Sequence, residues 1–251
     1  MKNFLLLIRS YIRLLLNKTN KGNEDQIPSG YRIKPLSFGI GFPWGSFHPK
    51  NLNQYWKGKD CVTFNDNCIM LNVRKTPHYF GDILIPYNIG VIQSSHKFEY
   101  GYFTAEILMP SESGQWPAFW LYGSQEEKYS EIDIVEAYSN SGNYGHSTKF
   151  QPNLHYGTGK KWKMYGAVNR PITDATRRFV KYSMHWTKDF VKIYYDGFLV
   201  MDYRDKSFLS KLLPMNLVCN SAVKKEFNPP NFSIVTFRNI NVYQKNNHHD
   251  Y

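Results

Sequence analysis

The chain has 251 residues, 42% hydrophobic and 17% aromatic, which is enough apolar surface for one sizeable core and too little to require two. Its formal net charge of +11 allows long-range attraction to a polyanion. Zinc-ligand spacing, a basic helix with heptads and an RNA-binding aromatic signature are all missing, so nucleic acid is not expected as the partner.

At the N-terminus, Lys2 precedes an apolar run from Phe4 to Ile8, which Arg9 and Arg13 then interrupt. The run is shorter than the roughly 7 to 15 apolar residues of a secretory h-region, and no small-residue cleavage site follows it. It reads better as a short basic amphipathic helix, with Leu5, Ile8, Ile12, Leu15 and Leu16 nearer one face and Arg9 and Arg13 one turn apart on another. Association of this N-terminus with a membrane surface is compatible with that pattern, and no stretch is long enough to span a bilayer. Residues 17–30, NKTNKGNEDQIPSG, read as a polar linker. The expected organisation is therefore an N-terminal segment and linker over 1–30, one folded domain over 31–244 and a polar tail over 245–251.

From Tyr31 onward, short runs rich in Val, Ile, Tyr and Phe recur between turn signals, and none keeps a helical period. CVTF and CIMLNV flank Asn65-Asp66-Asn67 as a hairpin. Cys61 and Cys68 could be bridged across that turn or stay a buried, reduced pair; together with Cys219 they are an odd number and no disulfide framework. GQWPAFWLYG then places Trp116, Trp120 and Tyr122 at alternate or near-alternate positions. They could present flat rings to sugars, Trp116 foremost, or simply pack in the core. Val180, Tyr182, Met184 and Trp186 alternate with more polar residues, as on a strand with one buried face. DFVKIYY and FLVMDY surround Asp196-Gly197, a two-residue hairpin turn. SFLSKLL at 207–213 is the one candidate helix, and FSIVTFRNINVYQ is the last strand. The sum is an all-β, two-sheet sandwich.

The segment SEIDIVEAYS sets Glu131, Asp133 and Glu136 among apolar residues. On a regular strand Glu131 and Asp133 share a face and Glu136 points the other way; one extra residue, a β-bulge, would return all three to one face. A retaining glycosidase needs a carboxylate nucleophile and a carboxylic acid side by side. A third acid between them raises a proton affinity by like-charge repulsion, so the trio can hold the proton that the leaving oxygen needs. Glu131 is the expected nucleophile and Glu136 the expected acid/base. A solvated strand face or a cation-binding cluster is the competing reading of three acids in six residues.

EIDIVE following GQWPAFW, with GVIQSSHKFEYGYFTAEILMP before them and NLHYG, MHWTKDFVKIYYDGFLV, LPMNLVCNSAV and FRNINVYQ after, resembles glycoside hydrolase family 16 over roughly residues 36 to 243. The resemblance implies a concanavalin A-like β-jelly roll with a substrate cleft on its concave sheet, and endo-hydrolysis of β-linked glucans or galactans. It implies Glu131 as nucleophile, Asp133 as assisting acid and Glu136 as acid/base. His155 is matched to the family's His beside the catalytic strand, and Trp116 and Trp120 to cleft aromatics. The six-residue acid motif, with Val135 as the extra residue, is similar to that of laminarinases, agarases and carrageenases and unlike the lichenase form.

Two departures stand out. Arg238 occupies the place in the last strand where many members carry an acidic calcium ligand, so no calcium, other metal or cofactor is expected. Asn220-Ser221-Ala222-Val223 runs into Lys224, Lys225 and Glu226 in place of a glycine-containing loop. The segment from Lys149 to Lys181 carries Lys149, Lys160, Lys161, Lys163, Arg170, Arg177, Arg178 and Lys181 against Asp174 alone, a solvated surface or a surface for an anionic polymer. The expectation is a monomeric retaining endo-glycosidase, extracellular or at the cell surface, cutting a β-1,3-glucan or a sulfated marine galactan. A lectin-like binding module on the same fold and a transglycosylase are the alternatives.

Overall fold

The computed structural model describes residues 25–42, 44, 54–55, 58–138, 149–158, 161–166, 172, 174–224 and 230–245. The amphipathic segment expected near the N-terminus lies outside them, and no helix among the described residues is long and apolar enough to cross a membrane.

Two large sheets are stacked, antiparallel throughout except where Gln54–Tyr55 pairs in parallel with Tyr87–Ile89. In the outer sheet the order runs Phe198–Tyr203, Val191–Tyr195, Val180–Trp186, Gly101–Leu108, Phe232–Lys245, Cys68–Arg74, Tyr87–Ile89 and Gln54–Tyr55, with Tyr31–Lys34 added to Phe232–Lys245 and Val62–Asn65 to Cys68–Arg74. The second sheet runs Lys161–Gly166, Lys149–Thr158, Lys128–Tyr138, Ala118–Gln125, Met215–Asn220, Val91–Phe98 and Phe38–Ile40. Alternation drives the stacking: Val180, Tyr182, Met184 and Trp186 of the outer sheet share one core with Phe119, Leu121, Ile132, Leu154 and Leu217 of the second. Successive side chains point to opposite faces, so each strand gives the core every other residue.

The expected hairpins form. Asn65 pairs with Cys68, and Tyr195 pairs with Phe198 around Asp196 and Gly197, whose φ angles of 53° and 82° suit a primed two-residue turn. Cys61, Cys68 and Cys219 are free thiols, Cys61 and Cys219 being buried. The helix is shorter than the sequence suggested, Lys206–Leu209 alone, capped by Asp205, which accepts from the Ser207 and Phe208 amides. Beyond Leu209 the chain tightens into turns, with the Lys211 and Leu212 amides donating to the Phe208 and Leu209 carbonyls, ahead of Pro214.

Val180–Trp186 departs from simple alternation. Ser183 should face solvent, yet it is fully buried. Asp25 covers it: its carboxylate accepts from Tyr102 Oη at 2.8 Å and from Ser183 Oγ, and lies 3.2 Å from Lys181 Nζ. The polar stretch ahead of the first strand is thus tied to the outer sheet from Asp25 onward.

Candidate active site

Lys128–Tyr138 lies between Ala118–Gln125 and Lys149–Thr158. Against the latter, Glu131 pairs with His155 and Asp133 with Asn153, but the next pair is Glu136 with Gln151. Three steps on one strand match two on its neighbour. Against Ala118–Gln125 the slip falls between Asp133, paired with Trp120, and Val135, paired with Phe119. This is the bulge that the acid spacing called for. It lets Ile132, Ile134, Val135 and Ala137 all enter the core, while Glu131, Asp133 and Glu136 line one cleft of about 740 Å³. A bulge disrupts the local ladder, and Tyr195 Oη donates to the Ile134 carbonyl at 2.9 Å from across the core.

Neutral N–H donors hold Glu136. Trp116 Nε1 donates to its Oε1 at 2.8 Å and Asn153 Nδ2 to its Oε2 at 2.7 Å. Asp133, 2% exposed, has His155 Nε2 at 3.3 Å from its Oδ2, and the same nitrogen lies 3.9 Å from Glu131 Oε1. Glu131 keeps 26% of its side chain open to the cleft. Burial pushes the Glu131 carboxyl well above its ordinary range, and the charge of Asp133 adds to this. Asp133 is likewise raised by burial and then by the charge of Glu136. With so little opposing charge the cluster resists full ionisation, and it retains a proton where isolated carboxyls would have lost theirs. Glu131, Asp133 and His155 also bring one ligand atom each within 4.8 Å of one another.

Aromatic rings form the cleft walls. Trp120 lines it, with its Nε1 donating to Asn220 Oδ1 at 2.7 Å. Trp116 also lines it, but its N–H edge is committed to Glu136, and Lys224 Nζ lies 4.0 Å from its ring centroid. The most open large ring of this wall is Trp44, 37% exposed, stacked on Phe42 at 4.5 Å and set edge-on to Tyr122 at 4.6 Å. Sequence reasoning passed over Trp44, although GFPWG carries it in a turn-rich, aromatic context. Tyr129 lines the cleft as well; its ring would collide at 2.1 Å with any Cβ at Gly157, so that glycine makes room for it. Asn153 was also missed. The available signal was its place two residues before His155, hence on the same strand face.

Among the described residues the basic run forms no cleft patch. Arg178 pairs with Asp174 and Asp196, and Lys181 with Asp25; none of the run's described cations lines the cleft. Lys160, Arg170 and the side chains of Lys149 and Lys161 lie outside the described residues. In the last strand, Arg238 makes a 2.6 Å ion pair with Glu106 and covers the Phe179 ring at 4.0 Å.

Comparison with known proteins adds relatives to this geometry. The family described as Glycosyl hydrolases family 16 matches residues 48–223. Endo-1,3-1,4-beta-glycanase EglC of Rhizobium meliloti (strain 1021) is 29% identical over 146 residues, 57% of this chain and 30% of that protein. Endo-1,3-1,4-beta-glycanase ExsH of the same organism is 28% identical over 139 residues, 55% of this chain and 28% of that protein. The match therefore spans less than a third of either relative. Among solved structures, SCLam, a non-specific endo-β-1,3(4)-glucanase, superposes with a TM-score of 0.70 at 19% identity, covering 88% of this chain and 94% of that one. The κ-carrageenase of Pseudoalteromonas carrageenovora gives 0.65 at 19% identity, covering 88% and 92%. These likenesses show the fold, a β-jelly roll.

Proposed function

Because the chain belongs to glycoside hydrolase family 16, we propose that it hydrolyses internal β-glycosidic bonds of a polysaccharide with retention of configuration. The observation that carries this reading is the bulged strand, which sets Glu131, Asp133 and Glu136 together on the floor of an aromatic cleft. Glu131, open to the cleft, attacks the anomeric carbon as the carboxylate, the one proton that the trio retains being carried on Glu136 when substrate is bound. Glu136, held in place by Trp116 and Asn153, gives its proton to the leaving oxygen and later takes one from the water that releases the glycosyl-enzyme. Asp133 lies against Glu131 and Glu136 and keeps a proton available to the trio.

A β-linked glucan is the substrate that the cleft favours. Among its described lining residues there are aromatic rings, amides and acids, and neither Lys nor Arg. The curated relatives are named as endo-1,3-1,4-beta-glycanases, in line with this. Incubating wild type and Glu131→Gln with laminarin, mixed-linkage glucan, agarose, porphyran and carrageenans, and measuring new reducing ends, tests both parts. Wild type should cut a β-glucan internally and the variant should not. Cleavage undiminished in the variant would remove Glu131 from the mechanism, and cleavage of a galactan alone would remove the glucan.

A further inference from the structure

A second cavity, of about 260 Å³, opens at the lateral edge of the sandwich. There the end strand of the cleft sheet, Lys161–Gly166, meets the end strand of the outer sheet, Phe198–Tyr203, and the helix Lys206–Leu209. It lies on the other side of the cleft sheet from the catalytic carboxylates. His155, which pairs with Met164, points with Glu131 into the cleft, whereas Tyr156, which pairs with Lys163, points the opposite way because neighbouring residues alternate faces.

The lining combines two kinds of chemistry. Tyr165 is 46% exposed, with its ring centroid 4.3 Å from that of Tyr203, so an aromatic surface is open at the mouth. Lys163 and Lys211 both border the cavity, and neither has a carboxylate partner among the described residues; Lys211 Nζ lies 5.8 Å over the Tyr156 ring. Asp205, the cavity's one acid, already accepts from the Ser207 and Phe208 amides. Two ammonium groups against the single Asp205 carboxylate leave the concavity net positive, which attracts an anion. An open tyrosine face beside them suits the apolar C–H face of a sugar ring.

We propose that this pocket is a non-catalytic binding site for an acidic sugar unit, one that bears a sulfate or a carboxylate. It deepens the glycanase reading and rests on it for the ligand being a sugar: the polymer would present a neutral β-linked backbone to the cleft and an acidic substituent to the sandwich edge. Binding there requires no catalysis. This divides the protein's affinity for anions from its chemistry and gives the excess positive charge a specific place to act.

The test uses Glu131→Gln protein, so that ligands are not consumed, and isothermal titration with four probes: sulfated galactan oligosaccharides, oligoglucuronate, neutral β-1,3-gluco-oligosaccharides and sodium sulfate. At least one acidic oligosaccharide should bind. Adding Lys163→Gln and Lys211→Gln should weaken it about tenfold or more, while the neutral oligosaccharide binds the cleft as before. Tyr165→Ala should also weaken acidic sugar binding, with an unchanged melting temperature as the folding control. Acidic sugars that bind equally with and without the lysines, or do not bind at all, would overturn the proposal. Free sulfate binding as tightly as the sulfated sugar would reduce the site to an anion site and overturn the sugar assignment. Glu131→Gln protein that still cleaves the probes would count against the catalytic reading alone, since the lysine comparison stands apart from it.

Discussion

Asp25, whose side chain packs against the outer sheet, and Asp133 of the cleft sheet are both acids with largely covered carboxyls, and their surroundings differ in kind. Asp25 meets the Lys181 ammonium and two hydroxyls, those of Tyr102 and Ser183. Asp133 sits with Glu131 and Glu136, and its Oδ2 accepts no hydrogen bond; His155 Nε2 lies 3.3 Å away. A matched acid ties one segment to another and contributes stability. An acid crowded by two others is a cost to the fold, which raises its proton affinity, and this trio lines the cleft. Matched acids that hold segments together and crowded acids that line the cleft thus lie on separate sheets of one sandwich.

Three substitutions would break or sharpen that division. The largest effect is expected on the cleft side: Glu136→Gln should lower kcat by about 10²–10⁴ and leave the melting temperature the same or higher, because one of three crowded acids has been neutralised. Steady-state kinetics together with calorimetry would check both halves. Tyr195→Phe probes the link between core and cleft. Without its hydroxyl the Ile134 carbonyl in the bulge loses a buried donor, at a cost of about 1–3 kcal/mol. The expected result is a several-fold fall in kcat with little change in KM, as the acids lose alignment while the aromatic walls stay. Asp25→Ala should have the smallest effect on activity, none in kcat. It strands the Tyr102 and Ser183 hydroxyls and should lower the melting temperature by about 5 °C. A loss of activity in Asp25→Ala at a temperature where the fold is intact would show that the two faces are coupled.

The sequence made the bulge and the acid trio readable for a physical reason: three carboxyls inside an apolar strand need an explanation, and the odd spacing of Glu136 allows only one way to bring it onto their face. The hairpin at Asp196-Gly197 was readable because its turn chemistry is local. What the sequence left dark depends on pairing between distant strands. Asn153 becomes a partner of Glu136 only once the register across the bulge is known. Trp116 lines the cleft, and nothing local in the sequence signals that its N–H edge holds an acid and that a lysine stands over one face. Asp25 reads as linker because Ser183, 158 residues away, gives no sign of being covered. The basic run suggested a patch beside the cleft, but of its described cations Arg178 and Lys181 pair with acids elsewhere and Lys163 borders the edge cavity.

The central claim is that Glu131 forms a covalent bond to the sugar. It is tested most directly by reacting wild-type protein with an activated 2-deoxy-2-fluoro glycoside of the sugar that the cleavage panel identifies, followed by intact-mass measurement and peptide mapping. A single glycosyl adduct on the peptide containing Glu131, absent from Glu131→Gln, is the predicted result. An adduct on another residue, or an inverted anomer as the first product of cleavage, would contradict it.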